Sequence, residues 1–253
     1  LQNLPRGGAL RKSLCAPEGS LLVACDSAQI EARVVAWVAQ QNDLLDAFRE
    51  KRDVYSEFAS EVYGRKVTKA DKIERFVGKT CVLGLGYGMG ADKFKATLAI
   101  GQAGLRVNID YSEAKRIVNL YRTKNHKIAT FWNRCNTALS HLVSKQDFAL
   151  VSHSPHVELI DDGIRLPNGL AIRYPLLTAN NNGYVYTADA RVYREAVKDR
   201  VLGQDLNTDK FIHIYGGKVT ENLVQALARI VVAEQMVKIE SGTRSCFKFT
   251  MRL

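Results

Sequence analysis

Asp26-Ser27-Ala28-Gln29-Ile30-Glu31-Ala32-Arg33 is the stretch from which the rest of this chain is best read. An apolar run, Leu21-Leu22-Val23-Ala24-Cys25, precedes it, and a helical pattern of Ile30, Val34, Val35, Trp37 and Val38 follows. The run predicts a buried strand, and Ser27 to about Gln40 an amphipathic helix. A carboxylate at the end of a buried strand that turns straight into a helix is held rigidly and left open to a ligand. That placement suits metal-ion chemistry. Asp26 is the candidate, with the backbone carbonyl of Ser27 as a second ligand. On position alone, the plainer role for Asp26 is a helix cap.

A second pattern begins 42 residues beyond Arg33, with Arg75, Lys79, Leu83 and Tyr87 recurring every fourth position. That spacing places them on one slowly winding stripe of a helix predicted from about Lys72 to Leu85. Arg75 and Lys79 are adjacent cations suited to a triphosphate, and Leu83 and Tyr87 an apolar and aromatic surface suited to a sugar and a base. Gly84, Gly86 and Gly88 each cost a helix about 1 kcal/mol relative to alanine, which predicts a close approach to the backbone there. The alternative is a solvated basic helix with a glycine-rich end. Gly78-Lys79-Thr80 is not a phosphate loop, because Ile73 stands where that motif needs glycine. Gly84-Leu85-Gly86-Tyr87-Gly88 follows a helix rather than a strand, which removes the context of a dinucleotide fingerprint.

Outward from these two stretches, residues 1–20 read as irregular. Helices are predicted over Asp43–Glu50, Val54–Tyr63 (stopped by Gly64), 91–100, 112–145 and about Lys218–Ile239. Residues 148–188 alternate apolar and polar residues between turn signals at Asp161-Asp162-Gly163, Pro167-Asn168-Gly169 and Asn180–Gly183, a meander of short antiparallel strands. Helices inserted between strands of one sheet predict an α+β base carrying a helical subdomain.

The net charge of +10 makes a polyanionic partner plausible, nucleic acid ahead of an anionic membrane surface. The five cysteines are odd in number and contain no CxxC pair, so reduced thiols in a cytoplasmic compartment are expected rather than a disulfide framework or a zinc site. No apolar run approaches the ~20 residues that cross a bilayer, so no membrane partner is expected. His153-Ser154-Pro155-His156 reads as a loop, and Asp161-Asp162 as a hairpin turn.

Together the two patterns resemble the polymerase domain of family A DNA polymerases, the bacterial polymerase I type and its phage relatives. Asp26, Gln29, Ile30, Glu31 and Arg33 match the first motif of that family, with Ser27-Ala28 where a Tyr-Ser pair is usual. Arg75, Lys79, Gly84, Tyr87 and Gly88 match its second, with Leu83 in place of the usual aromatic residue. Leu1-Gln2-Asn3-Leu4-Pro5 looks like the segment preceding the first motif. Tyr215–Asn222, followed by Gln225, resembles the phage form of a late helix that contacts primer and template. The resemblance spans about residues 1–240.

It implies a right-hand polymerase fold in which an antiparallel palm sheet with packed helices carries an inserted helical fingers subdomain. Residues 1–40 would be the first part of the palm, 41–147 the fingers, 148–239 the second part of the palm and 240–253 an atypical tail. It further implies template-directed DNA synthesis from dNTPs by two Mg²⁺ ions held roughly 3.5–4 Å apart. Asp26 and Ser27 would serve the metal, and Arg75 and Lys79 the transferred phosphate. Gln29, Glu31, Leu83 and Tyr87 would bind the nucleotide, Glu31 by excluding a ribose 2′-hydroxyl. Gly88, Asn222, Gln225 and Arg229 would touch primer–template DNA, and the glycines would admit a template strand. A monomer is expected, in a bacterial cell or a phage-infected host.

The third motif of the family, a His-Asp-Glu turn that brings a second metal carboxylate, occurs nowhere in the sequence. Its absence predicts an interior piece of a polymerase that does no chemistry alone. Two other readings stand beside this one, a non-catalytic nucleic-acid-binding remnant and a single-subunit RNA polymerase. Glu31 argues against the latter.

Overall fold

The structure is a computed structural model that describes residues 9–22, 26–102, 104–201 and 208–242. A four-residue helix, α1 (Ala9–Lys12), lies in the opening stretch. The next helix, α2, spans Ile30–Ala39 and starts later than its periodicity suggests. Gln29 adopts a left-handed backbone at φ 57°, so residues 27–29 form a turn and the helix begins beyond it. Leu21 and Leu22 are 88% and 67% exposed and belong to no strand, which corrects the expected buried strand at its first two positions. Val23–Cys25, the remainder of that strand, lies outside the described residues.

Two faces of α2 enter two different cores. Ala32 and Ala36, one turn apart, join a helical core with α3 (Asn42–Arg49), α4 (Val54–Tyr63), α5 (Lys72–Gly84), α6 (Ala91–Ile100) and α7 (Tyr111–Lys124). Val34, Val35 and Val38 join the other core with α8 (His126–Ser144), a three-stranded sheet and α10 (Gly216–Gly242). Two helices separated at Asn125 therefore stand where one helical stretch was read over 112–145. The buried Asn125 side chain donates to the Tyr121 carbonyl at 3.2 Å, and the Asp110 carboxylate caps α7 through the Glu113 N–H at 2.7 Å.

Close backbone contact sets how α4 and α5 meet. A Cβ on Gly78 would lie 2.1 Å from the Tyr55 carbonyl oxygen and 3.0 Å from Ala59 Cβ. Gly78 is thus a packing glycine. Beyond Gly84 the helix tightens to a 3₁₀ turn, Leu85–Tyr87, closed by Gly88 at φ 78°.

The strands form two small antiparallel sheets rather than one. β1 (Glu158–Ile160), β2 (Gly163–Arg165) and β3 (Ala171–Arg173) pair in sequence order, with Ile164 opposite Ile172 and buried. β4 (Thr178–Asn180) and β5 (Gly183–Tyr186) pair with β6 (Ile212–Ile214), which follows the intervening helix α9 (Ala190–Val201). The expected turn residues do join β1 to β2, β2 to β3 and β4 to β5. Asp162 pairs with Arg173, the hairpin role expected of the Asp161-Asp162 pair. The class is α+β. The long C-terminal helix α10 packs on α8 and α2, and so brings the last part of the chain to the first motif.

Candidate nucleotide-binding cleft

The turn before α2 and one face of α5 meet across an open cleft of about 620 Å³. Asp26, Ser27, Gln29 and Glu31 line one side, and Arg75, Lys79 and Leu83 the other. Residues of the two motifs, far apart in sequence, are thereby gathered around one space. Lys51, Arg52, Asp53, Tyr55 and Lys69 also line it, as does Arg33, and none of the first five stands out in the sequence.

The carboxylate side is a hydrogen-bonded turn. The Ser27 carbonyl accepts from the Ile30 N–H at 3.3 Å, and Arg33 Nε donates to the Ala28 carbonyl at 3.0 Å. Ser27 Oγ donates to Gln235 Oε1 of α10 at 2.8 Å, a contact spanning 208 positions. Asp26 is exposed at the end of this turn.

The cation side is a helix face. Arg75 does not point into the cleft as a free cation, because Asp53 grips it through Nε at 2.8 Å and through a second guanidinium nitrogen at 3.2 Å. Its guanidinium also lies over the Tyr55 ring, 5.3 Å from the centroid. Burial works to raise the Asp53 carboxyl, but hydrogen bonds from Arg75 and Ser56 and the Arg75 charge outweigh it and hold the group below 3.8. Burial pushes the Tyr55 phenol up, and Gln29 and Arg75 oppose the shift only in part. Among the described residues Lys79 has one hydrogen-bond partner, Gln102 Oε1 at 3.4 Å, and no acidic one.

Tyr87 departs from the expected stripe. The 3₁₀ turn carries it out of the cleft lining and against the core of α8 and α10. Its hydroxyl donates to Glu31 Oε2 at 3.1 Å, so it acts on the cleft through Glu31. Burial and the neighbouring Glu31 charge both push the phenol up, keeping it a donor. The backbone of this turn has close neighbours inside the fold. Trp132 Nε1 donates to the Gly86 carbonyl at 2.8 Å, and Gly88 lies against Trp132 and Gly217. A Cβ on Gly217 would sit 2.5 Å from the Tyr87 carbonyl oxygen.

Asn222, Gln225 and Arg229 do not line the cleft. Asn222 donates to the Tyr174 hydroxyl at 3.2 Å, while Gln225 and Arg229 are exposed one helical turn apart on α10. His153 stacks edge-on against Trp37 at 4.8 Å, consistent with a loop position.

A pair of Mg²⁺ ions demands several oxygen ligands, including at least two carboxylates to offset their charge. Of the three acidic side chains in the cleft, Asp53 is paired with Arg75, Glu31 accepts from the neutral Tyr87 hydroxyl through one oxygen, and Asp26 is exposed. Among the described residues no group of three or more His, Cys, Asp or Glu side chains is placed to hold a metal ion. Asp26 and the Ser27 carbonyl do not by themselves amount to a two-metal site.

The cleft gathers six cationic and three acidic side chains around one space. The family model described as DNA polymerase family A matches residues 1–146. The DNA polymerase of Bacillus phage SP02 is 29% identical over 241 residues, covering 92% of this chain and 35% of that protein. The thermostable DNA polymerase I of Thermus aquaticus is 36% identical over 125 residues, 48% of this chain and 14% of that protein. DNA polymerase I of Pseudomonas aeruginosa is 35% identical over 114 residues, 44% of this chain and 12% of that one. The chain belongs to DNA polymerase family A. It spans about a third or less of the length of these relatives.

Proposed function

We propose that the cleft binds a deoxynucleoside triphosphate for template-directed DNA synthesis. In this reading residues 1–40 and 148–239 are parts of a polymerase palm and 41–147 its fingers. The observation that carries the proposal is the meeting of Asp26, Gln29 and Glu31 with Arg75, Lys79 and Leu83 around one space. Lys79 supplies a charge for the triphosphate, and Arg75 supplies what Asp53 leaves free. Leu83 offers an apolar contact for sugar or base, and Glu31, held by Tyr87, crowds the 2′ position. Gln225 and Arg229 present one exposed face of α10 to primer–template DNA, and Gly88 contributes through the turn it closes. The chemistry of the complete polymerase requires two Mg²⁺ ions, for which Asp26 and the Ser27 carbonyl are only part of the ligand set.

Residues 1–253 alone are therefore expected to bind primer–template DNA, with affinity falling steeply as salt rises, and to extend no primer. Gel-based extension beside salt-titrated binding checks both halves. Asp26-dependent extension by this chain would overturn the reading. Nucleotide selection is tested separately through the ratio of dATP to ATP affinity, which Glu31→Ala should lower. An unchanged ratio would remove Glu31 from sugar selection.

A further inference from the structure

We infer that Lys51 and Lys69 form a second anion subsite at the mouth of the cleft, taking the far end of a polyphosphate whose near end lies at Lys79. This rests on the nucleotide reading above. Its basis is a charge balance among the six cations that line the cleft, Arg33, Lys51, Arg52, Lys69, Arg75 and Lys79. Arg75 is spent on Asp53. Arg52 is spent on Glu50 at 2.8 Å and Glu57 at 3.0 Å. Arg33 donates to the Ala28 carbonyl and lies over the Phe48 ring, 4.7 Å from its centroid. Lys51 and Lys69 have no acidic partner among the described residues, and Lys79 has only Gln102. With Arg33, whose partners are neutral, four cations without an acidic partner thus face two carboxylates without a cationic one, Asp26 and Glu31, among the described residues. Their surplus matches a ligand with several negative charges in a row, such as a triphosphate, better than a single phosphate.

The backbone at both lysines fits that role. Lys51 follows α3 at φ 57°, a left-handed conformation that costs a non-glycine residue about 1 kcal/mol or more. Glycine would fit the helix end without that cost, so what lysine adds at this position is its amine. Lys69 sits in a turn fixed by Asp71, whose carboxylate accepts from the Thr68 N–H at 2.8 Å and from Arg65 at 3.0 Å. Acids beside Lys69 are thereby engaged by Thr68 and Arg65 and leave the lysine free.

The test is calorimetric titration of the full chain with inorganic tripolyphosphate and, separately, orthophosphate. Lys51→Ala/Lys69→Ala should weaken tripolyphosphate binding roughly 10-fold, as losing about 1.4 kcal/mol requires, and leave orthophosphate binding within 2-fold. Lys66→Ala, three positions before Lys69 but outside the cleft lining, should change neither. Lys51→Gly separates binding from folding, because it should hold or raise the melting temperature while still weakening tripolyphosphate. A drop in melting temperature without loss of affinity would make Lys51 structural and overturn the subsite. Loss of single-stranded DNA binding with tripolyphosphate unchanged would also overturn it, in favour of a nucleic-acid contact. Lys79→Ala tells the two readings apart. Weaker tripolyphosphate binding in Lys79→Ala, with none in the double variant, removes the second subsite alone. No change in Lys79→Ala removes the nucleotide reading beneath it.

Discussion

The two sides of the cleft are built differently. Arg75, Lys79 and Leu83 ride on α5, whose other face is buried in the helical core and wedged against α4 at Gly78. Asp26, Ser27 and Gln29 sit on a turn held by side-chain hydrogen bonds, from Arg33 of α2 to the turn and from Ser27 to distant Gln235. Packing among many atoms resists displacement collectively, whereas an exposed hydrogen bond contributes on the order of 1 kcal/mol and exchanges readily with water. The cation side is therefore preformed, and the carboxylate side is the adaptable one.

The largest effect should come from breaking the rigid side. Gly78→Val drives a side chain into the Tyr55 carbonyl, where the Cβ of even an alanine would lie only 2.1 Å from the oxygen. About 3 kcal/mol of stability should be lost, as for severe overpacking, together with nucleotide binding. Urea unfolding checks the first part, and an unchanged midpoint would mean that α4 and α5 separate freely.

Asp53→Asn should be milder, costing about 1 kcal/mol at neutral pH for a partly exposed pair. Because the folded carboxyl titrates below its ordinary value, its contribution is complete above that value and disappears as pH falls through the lower, folded one. The wild-type chain should lose this increment as pH drops below about 4, and Asp53→Asn should show a flatter acid limb. Melting curves across that range decide it. An acid limb of equal steepness in both proteins would place the acid sensitivity elsewhere.

On the adaptable side, Ser27→Ala removes the exposed bond to Gln235 and should change stability by less than ~0.5 kcal/mol. A larger loss by thermal melting would show that the turn is as firmly built as the helix opposite.

These contrasts also explain what is legible in the sequence. The stop of α4 at Gly64, the stripe from Arg75 to Leu83 and three hairpin turns depend on neighbours within a few positions, and the sequence shows them. Asp53 is inconspicuous there because its partner, Arg75, lies 22 positions away, and nothing local distinguishes it from a helix cap. Ile73 rules Gly78 out of a phosphate loop in the sequence, but its packing role shows only once the Tyr55 carbonyl lies over it. Tyr87 falls off the stripe that its spacing predicts, since a turn tightening from α to 3₁₀ rotates each later side chain off the helical register. α9 and β6 are not foreshadowed by the pattern of residues, and their partner strand β5 is part of a second sheet instead of one continuous meander. The cleft acids and cations are half legible for the same reason. Residue type announces charge, but only the folded chain shows which charges are already neutralised.

The division of α2 between two cores has a consequence for how the molecule opens. Ala32 and Ala36 belong to one core and Val34, Val35 and Val38 to the other. Loosening either core alone leaves this helix clasped by its remaining face. Its central amides should then exchange with deuterium only through openings that release both cores, making them among the slowest in the chain. Motif residues carried on such a helix inherit its kinetic protection. Glu31, one residue into α2, is tied to the slowest-breathing part of the protein, while Asp26, on the turn before it, is not.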